Sequence, residues 1–157
     1  MQARGIESLN HLTAVSNNAG ASIDGGLAIL TRAGQVTNLI LSYLGNNKSL
    51  EKKYLQGQIG IELCPQGTLA ERLRAGGAGV PAFYTPTGVH TFIQSGGIPI
   101  RLRPAKDGQE PGVLESGKPR ETRVFDGKTY VMETALNGDV AILRAWKVDE
   151  EGNCQFR

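Results

Sequence analysis

The segment from residue 64 to residue 85 restricts the possible folds of this chain more than any other part of its sequence. Within it, Thr68 and Glu71 stand at the spacing of a capping box, in which each side chain satisfies a backbone donor at the start of a helix. Leu69 and Leu73, four residues apart, give this predicted helix one apolar stripe. The side chains expected to face water or a partner are Glu71, Arg72 and Arg74.

Glycines follow the predicted helix at once. Gly76, Gly77 and Gly79 lie within four residues and are expected to end the helix, after which Pro81 sets the direction of the chain. Glycine permits positive φ and lets a ligand approach the backbone closely. These residues therefore favour either a loop that binds a ligand or a plain helix terminus, and the pattern alone leaves both open.

The first half of the chain alternates between strand-like and helix-like segments. Asp24 is placed to cap the first of the predicted helices. Strands are expected at 12–16, 36–43 and 59–63, and helices at 25–32, 49–55 and from 68 onward. This alternation predicts an α/β domain with a mostly parallel sheet that is covered by helices.

The second half of the chain is predicted to be more irregular. Residues 101–117 are interpreted as a polar loop. Residues 123–133 predict a β-hairpin, because Asp126-Gly127 is a dipeptide that suits the two-residue turn between antiparallel strands. The hairpin is thus expected as an antiparallel addition to the parallel sheet.

A long apolar run lies near the end of the sequence. Residues 139–148 predict a strand, with Trp146 in the core. A turn signal follows at 149–153, and almost no return strand is expected after it. This pattern favours a single domain over 1–157 that is incomplete.

The composition excludes several classes of function. A net charge of +2, spread along the chain, argues against a nucleic-acid partner, and no apolar run approaches the roughly 18 residues of a membrane span. The two cysteines, Cys64 and Cys154, form no CxxC motif and have no paired spacing with His11 or His90. A zinc site is therefore not expected, and two distant cysteines fit a reducing compartment.

A glycine motif of nucleotide-binding proteins is present only in form. Residues 77–82 fit G-x-G-x-x-(G/A), but that motif normally follows a strand and opens a helix. Here it follows a predicted helix and contains Pro81, so nucleotide binding through it is not expected. No serine stands in a G-x-S-x-G setting either, which argues against a serine hydrolase.

Two asparagines follow the first predicted strand. Asn17 and Asn18 occupy the position at which open α/β sheets bind their ligands. Asparagine is also a common turn residue, because it tolerates the left-handed region and bonds its own backbone. From these residues alone, a turn and a ligand site both remain open.

Several segments together resemble one known family. Residues 65–85 closely resemble the acid-substrate half of the family I coenzyme A transferases. The other similar segments follow in the order of that family: 12–20, 43–47, 116–121 (Ser-Gly-Lys-Pro-Arg-Glu) and 138–147. They extend over nearly the whole chain, which makes this resemblance more specific than any single glycine motif.

The resemblance implies a three-layer α/β domain of the CoA-transferase type, equivalent to the A-type (N-terminal) portion of a 3-oxoacid CoA transferase. Such enzymes move CoA between succinate and acetoacetate through covalent intermediates. Neutral amides there would hydrogen-bond an acyl carboxylate or thioester carbonyl without a charge that quenches a nucleophile. The substrate-binding residues implied in this way are Asn17, Asn18, Gln66, Gly76, Gly77, Ala78 and Gly79.

The nucleophile that the resemblance implies is a glutamate in a Ser-Glu-Asn-Gly setting, which would form a glutamyl-CoA thioester. None of the ten glutamates of this chain stands in that setting. The resemblance therefore implies that a partner portion, either a B-type subunit or a C-terminal half, supplies it, and that the isolated chain is inactive. It also implies an oligomer that needs no metal or organic cofactor beyond CoA as substrate, in the mitochondrial matrix of a eukaryote or the cytoplasm of a bacterium.

Two other functions stay open beside this one. The first is a non-catalytic module that binds an acyl ligand, or serves in assembly, through the same pocket. The second is a sugar-phosphate isomerase on a related fold, which would need an acid–base carboxylate close to the glycine loop. No candidate for that carboxylate is evident in the sequence.

Overall fold

The computed structural model describes residues 9–20, 26–45, 47–104 and 112–157. The predicted helix cap Asp24 lies outside these ranges. The elements in chain order are β1 (Leu12–Asn18), α1 (Leu27–Arg32), β2 (Val36–Tyr43), α2 (Lys48–Leu55), β3 (Gly60–Leu63), α3 (Gln66–Gly77), β4 (Ala82–Thr85), α4 (Phe92–Ser95), β5 (Pro99–Arg103), β6 (Gly112–Ser116), β7 (Thr122–Phe125), β8 (Lys128–Thr134), β9 (Lys147–Val148) and β10 (Cys154–Gln155).

Helices cover both faces of a parallel sheet whose strand order is β1-β2-β3. On one face, Leu39 and Leu41 form a buried core with Leu50 of α2, and α1 packs against the same core. Successive strand residues point to opposite faces, and on the second face Glu62 of β3 forms an ion pair with Arg72 of α3. The prediction of an α/β domain with a parallel, helix-covered sheet is therefore confirmed.

The second half of the chain forms small antiparallel sheets, with strand order β4-β8-β7 in one and β5-β6 in another. The predicted hairpin is confirmed as β7 and β8, in which Phe125 pairs with Lys128. At its turn, Asp126 and Gly127 have φ values of 48° and 74°. Positive φ at both central residues is the geometry that an Asp-Gly turn provides.

The predicted loop at 101–117 is wrong at both of its ends. Strands β5 and β6 occupy those ends and pair in antiparallel fashion, with Arg103 opposite Gly112. Residues 105–111 between them lie outside the described ranges. The sequence of β6, Gly-Val-Leu-Glu-Ser, does not alternate between apolar and polar residues, so periodicity could not reveal this strand. All five of its residues are exposed.

The predicted strand at 139–148 is also wrong over most of its length. Only Lys147 and Val148 are in a strand. Trp146, which was expected in the core, is 58% exposed, and Ile142 is 92% exposed. Within the described residues no strand lies beside 139–146 to pair with its backbone groups, so apolar character alone does not make it a strand. The return strand after Val148, β10, is only two residues long, in agreement with the expectation of almost no return strand.

Helix α3 begins two residues before its predicted cap. Pro65 holds the N-cap position, and its carbonyl accepts the first helical hydrogen bond from the Leu69 backbone N–H at 2.8 Å. Thr68 lies inside the first turn, 4% exposed, and its hydroxyl has no hydrogen-bond partner among the described residues. The capping box is therefore wrong, because the fixed φ of proline lets the helix start earlier.

The buried face of α3 also differs from the predicted stripe. Leu69 is buried as expected, but Leu73 is 46% exposed, and Arg72, expected to face water or a partner, is only 5% exposed. Glu71 and Arg74 do form an ion pair on the outer surface, at 2.6 Å. The residues that α3 buries are Thr68, Leu69, Arg72 and Ala75. A charged residue is accepted on this face because Glu62 of the sheet neutralises it.

Replacing Thr68 with valine is expected to leave the free energy of unfolding unchanged or to raise it by up to about 1 kcal/mol. Valine keeps the shape of threonine and removes a buried hydroxyl that has no partner among the described residues. The matched control is Thr31→Val, because the buried Thr31 hydroxyl donates to the Ala28 carbonyl at 3.0 Å. This control should lose about 1 kcal/mol in urea denaturation. An equal loss in Thr68→Val would contradict the prediction.

Candidate functional site

The carboxyl ends of the three parallel strands meet at one edge of the sheet. β1 ends where Asn18 is opposite Tyr43 of β2, β3 ends at Leu63, and α3 begins at Gln66. This is the edge at which open α/β sheets bind ligands. The structure thus brings Asn17, near the end of β1, and Gln66, just after β3, to one edge of the sheet. The two strands are separated by two strand spacings, or about 10 Å.

The two asparagines at this edge face opposite sides of the sheet, since side chains alternate along a strand. Asn18 accepts a hydrogen bond at its Oδ1 atom from the backbone N–H of Gly20, at 3.0 Å, which is a turn-type contact. Asn17 lies in register with Ser42, on the face that α3 covers. Both asparagines are exposed. Asn17 is therefore the asparagine that lies on the same side as the start of α3.

The first turn of α3 presents uncapped backbone donors at the same edge. Among the described residues no side chain caps this helix, and its N-cap residue, Pro65, carries no side-chain acceptor. The first N–H groups of a helix have no partner within it, and the helix dipole adds partial positive charge there. Together with the exposed amide of Gln66, this arrangement favours an oxygen ligand such as a carboxylate or a carbonyl.

The glycines predicted for the site lie at the opposite end of α3. The helix has 12 residues, which separates its ends by about 18 Å. Gly76 and Gly77 form its last turn, Ala78 is its C-cap, and Gly79 has a φ of 70°. The structure therefore does not bring these four residues together with Asn17, Asn18 and Gln66 around one ligand. The role of all seven in substrate binding stays a prediction.

Gly76 has a packing role that the sequence did not reveal. A Cβ atom at this position would lie 2.0 Å from the carbonyl oxygen of Leu136 and 2.8 Å from the side-chain oxygen of Asn137. A Cβ atom at Gly77 would meet nothing within 4 Å. The segment that approaches the helix backbone closely at Gly76 therefore belongs to the chain itself.

Sequence reasoning missed an array of four charged side chains beside α3, in which Arg72 and Glu133 are buried and Glu62 and Arg120 are partly buried. Arg72 contacts Glu62 at 2.7 Å, Arg120 lies 3.7 Å from the same Glu62 oxygen, and Arg120 also contacts Glu133 at 3.1 Å. Glu133 is 2% exposed. One signal in the sequence was Glu62 itself, a carboxylate within an apolar strand. The other was the family-like segment 116–121, which contains Arg120.

Burial and nearby charges together shift the pKa values of Cys64 and Arg72. Burial raises the pKa of the Cys64 thiol, although the Arg72 guanidinium 3.8 Å away opposes that rise. Burial also disfavours the charged form of Arg72, which by itself would lower its pKa. The hydrogen bond and the negative charge of Glu62 outweigh this effect, so the pKa of Arg72 is raised. Cys64 is therefore a neutral thiol with little nucleophilic character, and Arg72 keeps its charge.

A cavity of about 410 Å³ opens next to this array and is lined by both apolar and charged side chains. Arg72, Arg120 and Glu62 line it, as does Lys118 of the segment 116–121. The apolar side chains in its wall are Leu63, Phe92, Ile93, Ile98, Ile100 and Met132. The family-like segment thus borders the end of β3, close to where α3 begins.

Two features were not found among the described residues. Across 9–20, 26–45, 47–104 and 112–157, no group of three or more histidine, cysteine, aspartate or glutamate side chains could hold a metal ion. In the same ranges, no helix has both the length and the apolar character that crossing a membrane requires.

The parallel sheet, its polar carboxyl edge and the uncapped helix start define an α/β fold whose edge suits an oxygen-bearing ligand. A family model described as "Coenzyme A transferase" matches residues 4–157. The chain belongs to the coenzyme A transferase family. This confirms the resemblance that the sequence motifs carried.

Individual relatives agree with this assignment. The mitochondrial succinyl-CoA:3-ketoacid coenzyme A transferase 2A of Rattus norvegicus is 45% identical over 157 residues, which are 100% of this chain and 28% of that protein. The A-type subunit of the succinyl-CoA:3-ketoacid coenzyme A transferase of Xanthomonas campestris pv. campestris (strain B100) is 48% identical over 147 residues, 93% of this chain and 50% of that protein. The chain thus spans half or less of the length of these two relatives.

Solved structures show the same fold. The acyl-CoA transferase YdiF of E. coli O157:H7, crystallised as a thioester complex with CoA, superposes with a TM-score of 0.71 at 25% sequence identity. The match covers 96% of this chain and 28% of that one. The predicted fold class, an α/β domain of the CoA-transferase type, is therefore confirmed.

Proposed function

We propose that this chain is part of a 3-oxoacid CoA transferase that moves CoA between succinate and acetoacetate. The observation that carries the proposal is the carboxyl edge of the sheet, along which Asn17, Gln66 and the uncapped first turn of α3 each present neutral donors. The family assignment and the similarity to succinyl-CoA:3-ketoacid coenzyme A transferases support it.

Neutral donors suit this reaction because its nucleophile is a carboxylate. A glutamate oxygen forms a bond to the acyl carbonyl carbon while the carbon–sulfur bond breaks, which gives an anhydride and the CoA thiolate. The thiolate then attacks the glutamyl carbonyl carbon and releases the acyl carboxylate, leaving glutamyl-CoA. Amide and backbone N–H groups stabilise the oxyanion of each step, whereas a nearby cation would pair with the glutamate and lower its reactivity.

The glutamate comes from a partner portion, either a B-type subunit or a C-terminal half. Two of the buried or half-buried glutamates of this chain, Glu62 and Glu133, are held by the guanidinium groups of Arg72 and Arg120 and are poor nucleophiles for that reason. The names of the bacterial relatives describe an A-type subunit, which fits a two-part enzyme. CoA takes part as substrate, and no other cofactor is needed.

The names of the relatives support a proposal for the compartment. The mammalian relatives carry "mitochondrial" in their names. We place the protein in the mitochondrial matrix if it comes from a eukaryote and in the cytoplasm if it comes from a bacterium. Assembly with the partner portion would make the complete enzyme a homo- or hetero-oligomer.

The experiment that tests the proposal is CoA transfer by the complete protein, with acetoacetyl-CoA and succinate as substrates. Gln66→Ala is expected to lower kcat by about 100-fold, as the loss of one oxyanion donor does in other acyl-transfer enzymes, with little change in the melting temperature. The matched control is Gln58→Ala, an exposed glutamine outside the carboxyl edge, which should keep full activity. Unchanged turnover in Gln66→Ala would remove Gln66 from the site. Binding of acetoacetyl-CoA without any transfer by the unmodified protein would favour the non-catalytic module.

A further inference from the structure

The turn between β3 and α3 is short and is closed by an ion pair. Only two residues, Cys64 and Pro65, separate the last residue of β3 from Gln66, the first residue of α3. Glu62 lies before this turn and Arg72 after it, and their side chains meet at 2.7 Å. The pair therefore fixes how far α3 can slide or rotate relative to β3, and with it the position of Gln66.

Arg72 is also held by the end of β8. Its Nε atom donates to the Thr134 carbonyl at 2.8 Å, and its own carbonyl accepts from the Leu136 backbone N–H at 2.9 Å. The planar guanidinium thus makes directed bonds to two elements at once, which a lysine ammonium cannot reproduce. Helix α3 is consequently attached to the antiparallel sheet at the same residue that closes the turn.

The segment 116–121 completes the array through Arg120. This residue contacts Glu133 at 3.1 Å and lies 3.7 Å from Glu62, while its NH1 atom donates to the Lys118 carbonyl at 2.8 Å. Two guanidinium groups and two carboxylates neutralise one another, so the array has little attraction left for an anionic ligand. Its ion pairs connect β3, α3, β8 and the segment 116–121.

We propose that Arg72 and Glu62 are positioning residues that hold Gln66 at the carboxyl edge of the sheet. The proposal rests on the proposed function, because it assigns to the ion pair an effect on catalysis that passes through Gln66. A plain structural role would predict that loss of the pair weakens the fold and acts on activity independently of Gln66. The two roles differ in how the substitutions combine.

A double-mutant cycle in the complete enzyme separates these two roles. Arg72→Lys keeps the charge and loses the guanidinium geometry, and it is expected to lower kcat by about 10-fold with KM nearly unchanged, because misplaced donors act mainly in the transition state. In a Gln66→Ala background the same substitution should change kcat by less than about 2-fold. Additive effects of the two substitutions would overturn the positioning role. The matched control is Arg74→Lys, in an exposed ion pair on the same helix, which should leave kcat unchanged.

Amide hydrogen exchange provides a readout that does not depend on activity. Arg72→Lys is expected to speed exchange of the Cys64 and Leu69 backbone N–H groups, which donate to the Leu41 and Pro65 carbonyls at 2.9 Å and 2.8 Å, by about 10-fold or more, whereas Arg74→Lys should not. If Arg72→Lys shows no cooperative unfolding transition, Glu62→Asp replaces it, since this change shortens the carboxylate reach and keeps its charge. Unchanged exchange in the folded variant would overturn the positioning role alone. Unchanged turnover in Gln66→Ala would instead overturn the site assignment of the proposed function.

Discussion

Replacing Gly76 with alanine is expected to lower the free energy of unfolding by roughly 2–3 kcal/mol, although alanine is the better helix former by about 1 kcal/mol. The new Cβ atom would lie 2.0 Å from the Leu136 carbonyl oxygen. That carbonyl belongs to backbone that cannot move away freely, because the Leu136 N–H is bonded to the Arg72 carbonyl at 2.9 Å. The steric cost therefore exceeds the gain in helix propensity.

The matched control is the neighbouring glycine. Gly77 lies in the same last turn of α3, and an added Cβ atom there would meet nothing within 4 Å. Gly77→Ala is expected to be neutral or to raise the free energy of unfolding by up to about 1 kcal/mol. Urea denaturation of both variants is the measurement. Equal stability of the two would show that Leu136 does not approach the helix at Gly76.

Replacing Arg72 with methionine is expected to lower the free energy of unfolding by about 2–3 kcal/mol, less than for a fully buried ion pair because the Glu62 side chain is 27% exposed and keeps Arg120 at 3.7 Å. The substitution leaves the Glu62 carboxylate and the Thr134 carbonyl without the donors that meet them at 2.7 Å and 2.8 Å. Methionine fills much of the volume of arginine, so the loss reflects the missing charge and hydrogen bonds more than a cavity. Denaturant unfolding of the complete protein measures it.

Arg74→Met is the control for this second prediction. Arg74 forms its ion pair with Glu71 on the surface of the same helix, where water screens the charges. Its loss should change the free energy of unfolding by less than about 1 kcal/mol. A similar small loss in Arg72→Met would mean that the array contributes no more than a surface pair. It would also weaken the case that the array positions α3.

Local patterns predicted the elements whose signals lie within a few residues. The alternation of apolar runs with helical segments gave the parallel sheet correctly, and Asp126-Gly127 gave the hairpin. Both depend on short-range properties, namely side-chain periodicity and the φ values that a turn requires. The position of Asn17 and Gln66 at one edge could also be predicted, because parallel strands align their carboxyl ends.

Features that depend on distant residues could not be predicted from the sequence. The burial of Arg72 could not be predicted, because it depends on contacts with Glu62, ten residues earlier, and with Thr134 in another sheet. Every residue of strand β6 is exposed, and the strand is held in place by its antiparallel pairing with β5. The apolar run at 139–146 is not a strand, since within the described residues no neighbour pairs with it.

The sequence by itself determined the α/β class, the family and the edge of the sheet where Asn17, Asn18 and Gln66 lie. Tertiary structure alone decided which face of α3 is buried, which segment approaches Gly76 and which charged groups meet around Arg72. It also separated the glycines at 76–79 from the carboxyl edge, by the length of one helix. The physical reason is that propensity and periodicity act along the chain, whereas burial and ion pairing depend on which distant segments come into contact.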